Sequence, residues 1–225
     1  MTEPIEHRPA VRAATVIPVR PGATGPEILL LRRKGQGNFA GMWVFPGGRV
    51  DPGDARAGGE LATAAAAAVR EAEEEAGLLL APPALVPFSH WEPPPRPGVR
   101  FATWFFVTGA GAIDVVVDGA EVLEHRWVAP RDARAARDGG DIELAAPTYV
   151  TLHHLDDLGD LSGILAGPPR LERYRTRPAT DSPSPVLLWH GDAGYAEGRA
   201  AVAGPRNRLH MHRAGPWRYE RTVPA

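Results

Sequence analysis

The sequence has no cysteine, no strong net charge and no long hydrophobic run. Without cysteine there are no disulfides and no thiolate metal sites, which fits a reducing compartment. A formal net charge of −2 gives no field that would attract nucleic acid or an anionic membrane. No stretch has the length of a membrane span, and the amino-terminal residues carry acidic side chains without the apolar core of a secretion signal. We therefore expect a cytoplasmic protein with neither nucleic acid nor membrane as a partner.

The most informative stretch extends from Gly47 to Leu78. It opens with two adjacent glycines and closes with REAEEEAGL. In that closing segment Glu71, Glu74 and Glu75 have the i, i+3, i+4 spacing that places side chains on one helical face. Each like-charge pair costs about 3 kcal/mol at ~5.5 Å and an effective dielectric constant of about 20. A divalent cation would turn this cost into a binding site; the alternative is a solvated acidic helix end.

The residues around these glutamates resemble the signature of the Nudix hydrolases. That signature is glycine, five residues, glutamate, seven residues, then Arg-Glu-apolar-x-Glu-Glu-x-Gly-apolar, and residues 70–78 match its second half throughout. The first half departs from it, because Asp54 takes the glutamate position counted from Gly48. Fifteen residues separate Asp54 from Arg70, which amounts to an insertion of eight. Either Asp54 or Glu60, the nearest glutamate, then pairs with Arg70.

The resemblance implies an α/β (α+β) fold, the Nudix α/β/α sandwich with a mixed sheet between helices, over residues 1–165. Residues 166–225 would be a carboxy-terminal extension packed on this domain or on a partner subunit, and a homodimer is one possible assembly. Apolar β-branched runs and helix-forming runs set the expected elements. We expect strands at 13–19, 27–33, 43–46, 99–108, 113–117, 121–128, 185–189 and 208–212, and helices at about 60–77 and 147–158. Residues 54–59 are expected to be an exposed loop.

The family's chemistry implies roles for the glutamate segment. By position, Glu71, Glu74 and Glu75 match metal ligands, and Gly47 matches a glycine whose carbonyl also binds the metal. The metal would be Mg²⁺, with Mn²⁺ as a substitute. Glu71 or Glu74 would also help to deprotonate the attacking water, and Arg70 would brace the loop and helix. Water would then attack one phosphorus of a small-molecule diphosphate. About two or three cations would offset the negative charge of the three carboxylates and the diphosphate.

Further residues are candidates for contact with the substrate. Arg32 and Arg33 precede the glycine loop and would bind a diphosphate through bidentate hydrogen bonds, unless they are an ordinary exposed strand end. Gly48 lets a ligand approach the backbone, because it has no Cβ. Glu121 and Glu124 lie before an Arg-Trp-Val segment similar to one in many Nudix sequences, where an acidic residue serves as a base or an extra ligand. The alternative for both is a solvated strand edge.

Substrate choice depends on residues outside the signature. The insertion and the segment at 146–148 are similar to the branch that cleaves coenzyme A and acyl-CoA. That branch's motif is matched by Leu29-Leu30, Arg33, Gly41 and the FPGG segment, but its later arginine is replaced by Gly37. The alternatives are an ADP-ribose or nucleotide-sugar pyrophosphatase and a non-catalytic module that senses a nucleotide.

Overall fold

The computed structural model describes residues 9–35, 39–95, 98–111, 114–117, 119–213 and 215–222. The motif position at Gly37 and the first residue of the strand expected at 113–117 lie outside these ranges. The strands are β1 (Val11–Gly22), β2 (Gly25–Arg33), β3 (Trp43–Val44), β4 (Gly47–Arg49), β5 (Val86–Glu92), β6 (Phe101–Gly109), β7 (Val122–Val128), β8 (Glu172–Arg175), β9 (Arg177–Pro178), β10 (Val186–Leu188), β11 (Asn207–His210) and β12 (Arg218–Arg221). The helices are α1 (Gly59–Ala76), α2 (Pro130–Gly139), α3 (Ala146–Leu158) and α4 (Leu161–Ala166), with 3-10 turns at Pro52–Asp54 and Pro82–Ala84.

Strand β1 is the centre of a mixed sheet. It pairs in parallel with β6 and antiparallel with β2 and β4. Strand β2 also pairs with β3 and β7, and β5 lies between β6 and β8. An apolar run such as AATVIPV suits a strand covered on both faces. The α/β fold with a mixed sheet, expected from the sequence, is confirmed.

Each face of the sheet carries its own apolar cluster. On one face, Leu29 and Leu31 of β2 pack with the alanines of α1. On the other face, Ile28 and Leu30 pack with residues of α2 and α3. Because successive side chains of a strand point to opposite faces, odd-numbered β2 residues face α1 and even-numbered ones face away from it. This alternation decides where the two arginines at the end of β2 lie.

Helix α1 packs closely on the sheet because its inner face is built of small residues. Ala65, Ala68 and Ala72 are buried there, whereas Leu61 is 36% exposed, so the packed stripe begins one turn later than its sequence pattern indicates. The helix ends at Ala76, and the left-handed backbone of the next residue, Gly77 (φ 66°), lets the Leu78 N–H bond to the Ala72 carbonyl. Close packing brings the last helical turns, with their glutamates, against β4.

Residues beyond 165 share the sheet and the core of the preceding part. Strand β8 adds to β5 in the eight-stranded sheet, and β9 to β12 form a separate four-stranded sheet. The rings of Trp91 and Tyr174 stack with centroids 3.9 Å apart, and the Tyr149 hydroxyl donates to the Trp217 carbonyl at 2.9 Å. Among the described residues, no helix combines the length and the apolar character needed to cross a bilayer.

Several elements differ from the expectations drawn from the sequence, and the strands β5, β8 and β9 and helix α4 form where none was expected. Residues 114–117 form no strand. Helix α2 was not expected, because its sequence PRDARAARDG has no apolar period. Among its described residues, Pro130, Ala133 and Arg137 are buried, and the Arg137 guanidinium lies 3.7 Å from the centroid of the Trp217 ring. The arginine stem thus does the packing that an apolar side chain would be expected to do.

Candidate active site

The two glycines of β4 bring its backbone into close contact with both neighbours. A Cβ on Gly47 would lie 2.4 Å from the Ala14 carbonyl oxygen of β1. A Cβ on Gly48 would lie 2.4 Å from the Glu71 carboxylate. Larger residues at these positions would push the strand away from β1 or from α1. Gly48, expected from the sequence to contact substrate, makes room here for the Glu71 carboxylate.

Glu75 is the most deeply placed of the three glutamates. Its side chain is 5% exposed, and its Oε2 accepts a hydrogen bond from the Gly47 N–H at 2.9 Å. Its Oε1 accepts from Arg33 Nη1 at 2.6 Å. Burial raises the pKa of Glu75 to about 7, and the Gly47 N–H and the Arg33 charge offset that effect only in part. Ionising Glu75 in this buried position therefore costs free energy, which a nearby cation would offset.

Glu71 and Glu74 flank the guanidinium of Arg70. Arg70 Nη1 donates to Glu71 Oε1 at 3.0 Å and to Glu74 Oε2 at 2.9 Å. Burial raises the pKa of Glu71, and the charge of Arg70 only partly opposes this. The Glu74 side chain is 58% exposed, so it is the carboxylate open to solvent.

Arg70 binds Asp54 rather than Glu60. Its Nε donates to Asp54 Oδ1 and its Nη2 to Oδ2, each at 3.0 Å, and Nη2 also donates to the Arg49 carbonyl at 2.9 Å. Glu60 instead accepts a hydrogen bond from Trp104 Nε1 at 2.9 Å. Arg70 therefore ties β4, the 3-10 turn and α1 together.

Asp54 is buried, whereas the sequence pattern predicted that it would begin an exposed loop. It is 3% exposed, and its Oδ2 also accepts from the Asp51 N–H at 2.8 Å. Burial by itself would raise the pKa of Asp54, but the hydrogen bonds from Arg70 and Asp51 outweigh it and the pKa is lowered. The loop proper is shorter, at residues 55–58, because α1 begins at Gly59.

The structure separates the two arginines of β2. Arg33 continues the row that faces α1, and its Nη2 donates to Glu121 Oε2 at 2.6 Å in addition to its bond with Glu75. Arg32 points to the opposite face, where its Nη1 donates to Glu124 Oε1 at 2.7 Å. Arg33 and Glu121 thus join the carboxylate group, and Arg32 and Glu124 are not brought to it. The alternation of strand side chains is a signal for this separation that could have been used from the sequence alone.

The oxygen donors fit a hard divalent cation by their chemistry. Carboxylates and carbonyls are the ligands that Mg²⁺ and Mn²⁺ prefer. Burial raises the pKa of both Glu71 and Glu75, and the charges of Arg70 and Arg33 lower it only in part. Within the described residues, no three acidic or histidine side chains are arranged closely enough to form a metal site. Arg70 Nη1 lies between Glu71 and Glu74, so a cation at those carboxylates would compete with it.

Comparison with known proteins places this geometry in a family. The sequence profile of the NUDIX domain matches residues 9–146, which is more than half of the 225 residues. No curated protein matches the sequence. The solved structure of a NUDIX hydrolase from Alicyclobacillus acidocaldarius is 24% identical, with a TM-score of 0.63 over 73% of this chain and 97% of that one. The NUDIX domain of Shewanella oneidensis NrtR, solved with ADP ribose, is 14% identical, with a TM-score of 0.53 over 69% of this chain and 92% of that one. The profile match, the shared fold and the glutamate segment on α1 together show that the chain belongs to the Nudix family and is a pyrophosphohydrolase.

Proposed function

We propose that this enzyme hydrolyses the diphosphate of coenzyme A or acyl-CoA with Mg²⁺, using Glu71, Glu74 and Glu75 of α1. The observation that supports hydrolysis is the position of two carboxylates with raised pKa values, Glu71 and Glu75, against the glycine backbone of β4. A diphosphate is itself an anion, so the two can meet only with cations between them. Mg²⁺ would supply that charge and would lower the pKa of a bound water.

The protein's own groups divide the remaining work. Glu75 is fixed at both oxygens by Gly47 and Arg33 and would hold a cation in one position. Glu74, exposed and hydrogen-bonded to Arg70, is placed to exchange Arg70 for a cation or to accept a proton from water. Arg70, anchored by Asp54, braces β4 against α1, so that the carboxylates remain in place when substrate arrives.

The coenzyme A assignment rests on sequence features. Leu29-Leu30, Arg33, Gly41 and the FPGG segment match that branch's motif, in which Gly37 replaces the later arginine, and the eight extra residues between Asp54 and Arg70 are similar to its insertion. Of these residues, Leu29 and Arg33 both lie on the face of β2 that packs against α1. Attack of water on the diphosphate would give 3′,5′-ADP and phosphopantetheine from CoA, or acyl-phosphopantetheine from acyl-CoA, because the glutamates would hold the cations at the diphosphate rather than at the thioester.

ADP-ribose is the second candidate. The NUDIX domain of Shewanella oneidensis NrtR was solved with ADP ribose, and it shares the fold of this chain over most of its length. In this reading the same carboxylates act on a diphosphate that joins two riboses, and AMP is one product. Nothing in the carboxylate group distinguishes the two substrates, because it would bind only their common diphosphate.

The test is a substrate panel with the purified protein. CoA, a medium-chain acyl-CoA, ADP-ribose and a nucleotide sugar would each be incubated with Mg²⁺ or with EDTA, and products identified by mass. The proposal expects Mg²⁺-dependent 3′,5′-ADP from CoA or acyl-CoA. If the protein releases AMP from ADP-ribose and leaves CoA intact, the coenzyme A assignment is wrong, but the protein is still a diphosphate hydrolase. Tight binding of a nucleotide with no product from any member would indicate a sensing module instead.

A further inference from the structure

Arg33 is the centre of an ion-pair chain that reaches from the surface to a buried carboxylate. Its Nη1 donates to Glu75 Oε1 and its Nη2 to Glu121 Oε2, both at 2.6 Å. The Glu75 side chain is 5% exposed and the Glu121 side chain 66%. One guanidinium thus links a deep acid of α1 to an exposed residue at the start of β7.

This arrangement fixes both oxygens of Glu75. Oε2 is held by the Gly47 N–H and Oε1 by Arg33, so rotation of the carboxylate would break at least one charge-assisted hydrogen bond. Arg33 is suited to the task, because the planar guanidinium fork can bind two carboxylates at once, whereas a lysine ammonium is a single point charge. Because Nη1 and Nη2 of Arg33 already donate to two glutamates, fewer of its N–H groups are available to bind a diphosphate than the sequence pattern suggests.

Arg32 provides an internal contrast. It has the same charge and lies next to Arg33 in β2, yet its ion pair with Glu124 is on the other face of the sheet and both partners are nearly half exposed, at 46% and 47%. Its bond reaches no glutamate of α1. Substituting Arg32 therefore removes the same charge as substituting Arg33 but leaves Glu75 untouched, so a comparison of the two variants distinguishes a general effect of charge from a specific effect on Glu75.

We infer that Arg33 is a positioning residue that holds Glu75 in the orientation needed to bind the metal, and that Glu121 holds Arg33 in turn. This inference rests on the proposed function for its consequence in catalysis. Removing a residue that hydrogen-bonds to a metal ligand typically lowers metal affinity or activity by about 10- to 100-fold. An effect of that size is expected from Arg33, and a smaller one from Glu121, whose hold on Glu75 is indirect.

The first readout is metal binding without substrate. Mn²⁺ binding to wild type, Arg33→Gln, Arg33→Lys and Glu121→Gln would be titrated by electron paramagnetic resonance. We expect Arg33→Gln to weaken Mn²⁺ binding at least about tenfold, with a smaller loss in Arg33→Lys, which keeps the charge but not the fork. Arg32→Gln should leave Mn²⁺ affinity unchanged. Arg20→Gln, which breaks the Arg20–Glu27 ion pair between β1 and β2, is the control for loss of a surface pair.

The second readout separates kcat from KM on the best substrate of the panel at saturating Mg²⁺. A positioning role predicts that Arg33→Gln lowers kcat by about 30-fold or more and changes KM less than about threefold. Weaker substrate binding with normal kcat and normal Mn²⁺ affinity would show that Arg33 contacts the diphosphate and would overturn the inference. If Arg33→Gln fails to fold, Arg33→Lys and the exposed Glu121→Gln provide the same comparison, and normal Mn²⁺ affinity in both would overturn it.

The positioning role of Arg33 and the proposed hydrolase function can be refuted independently of each other. Weakened Mn²⁺ binding in Arg33→Gln, together with a wild type that hydrolyses no diphosphate, would refute the proposed function and leave the positioning role. An active wild type with normal Mn²⁺ binding and kcat in Arg33→Gln would refute the positioning role and leave the function.

Discussion

Glu75→Gln should change how the stability of the metal-free protein depends on pH. In the folded protein, burial raises the pKa of Glu75 from 4.5 to about 7. The folded state therefore binds this proton more tightly than the unfolded chain does. The stability that Glu75 contributes is full below pH 4.5 and is lost as the pH rises through about 7.

The size of this loss follows from the shift. Each pKa unit corresponds to about 1.4 kcal/mol, so the wild type should lose about 3 kcal/mol of unfolding free energy from this group between pH 4.5 and pH 8. Glutamine does not titrate. Below pH 4.5 Glu75 is protonated and, like glutamine, offers Arg33 a neutral oxygen, and the bond to Arg33 is already included in the shifted pKa. The variant should therefore match the wild type closely at low pH and exceed its unfolding free energy by about 3 kcal/mol at pH 8.

The measurement is urea unfolding in EDTA at several pH values, followed by the fluorescence of the six tryptophans. The quantity of interest is the difference between variant and wild type, because groups distant from Glu75 cancel in it. Glu73→Gln, at a neighbouring exposed glutamate of α1, is the matched control for removing one carboxylate from this helix. If the difference in unfolding free energy between Glu75→Gln and the wild type does not change with pH, the pKa of Glu75 is not raised by folding and the reasoning is refuted.

Two further predictions concern other parts of the fold. Asp54→Asn should destabilise the protein by about 2–4 kcal/mol in thermal unfolding, since it leaves Arg70 without its bidentate partner. Glu60→Gln should cost under about 1 kcal/mol, and an equal effect of the two would contradict the pairing. A chain cut after residue 165 should lose its cooperative thermal transition, because the core then lacks buried aromatic rings worth about 2–3 kcal/mol each, including Tyr174 and Trp189. A retained transition would show that residues 166–225 are a separable addition, contrary to the integrated extension we propose.

The local patterns predicted most of the sheet and the carboxylate helix. Apolar β-branched runs specified β1, β2 and β6, and the alanine-rich run specified α1, because burial on a sheet imposes those compositions. Spacing along the chain also predicted that the glutamates would share a face. What local patterns could not supply were contacts across long sequence separations, such as the pair formed by Arg33 and Glu75.

The errors have identifiable physical causes. Asp54 lies in a glycine-rich segment that resembles a solvated loop, and its bonds to the Asp51 N–H and to Arg70, 16 residues away, satisfy its carboxylate in a buried position. Arg32 and Arg33 are adjacent in sequence and were therefore treated as a pair, although a strand sends neighbours to opposite faces. Helix α2 packs through an arginine stem and an alanine, which a hydrophobic period does not detect.

If the carboxylates of α1 carry out metal-dependent diphosphate hydrolysis, removing one of them should abolish most of the turnover. The comparison is turnover of the best panel substrate at saturating Mg²⁺ by wild type, Glu74→Gln and the control Glu73→Gln. These two glutamates are adjacent and exposed on one helix, so charge and helix propensity are matched while only Glu74 joins the Arg70 cluster. We predict that Glu74→Gln lowers kcat at least about a hundredfold with little change in thermal midpoint, and that Glu73→Gln stays within about twofold of wild type. Equal kcat in all three proteins would contradict the account.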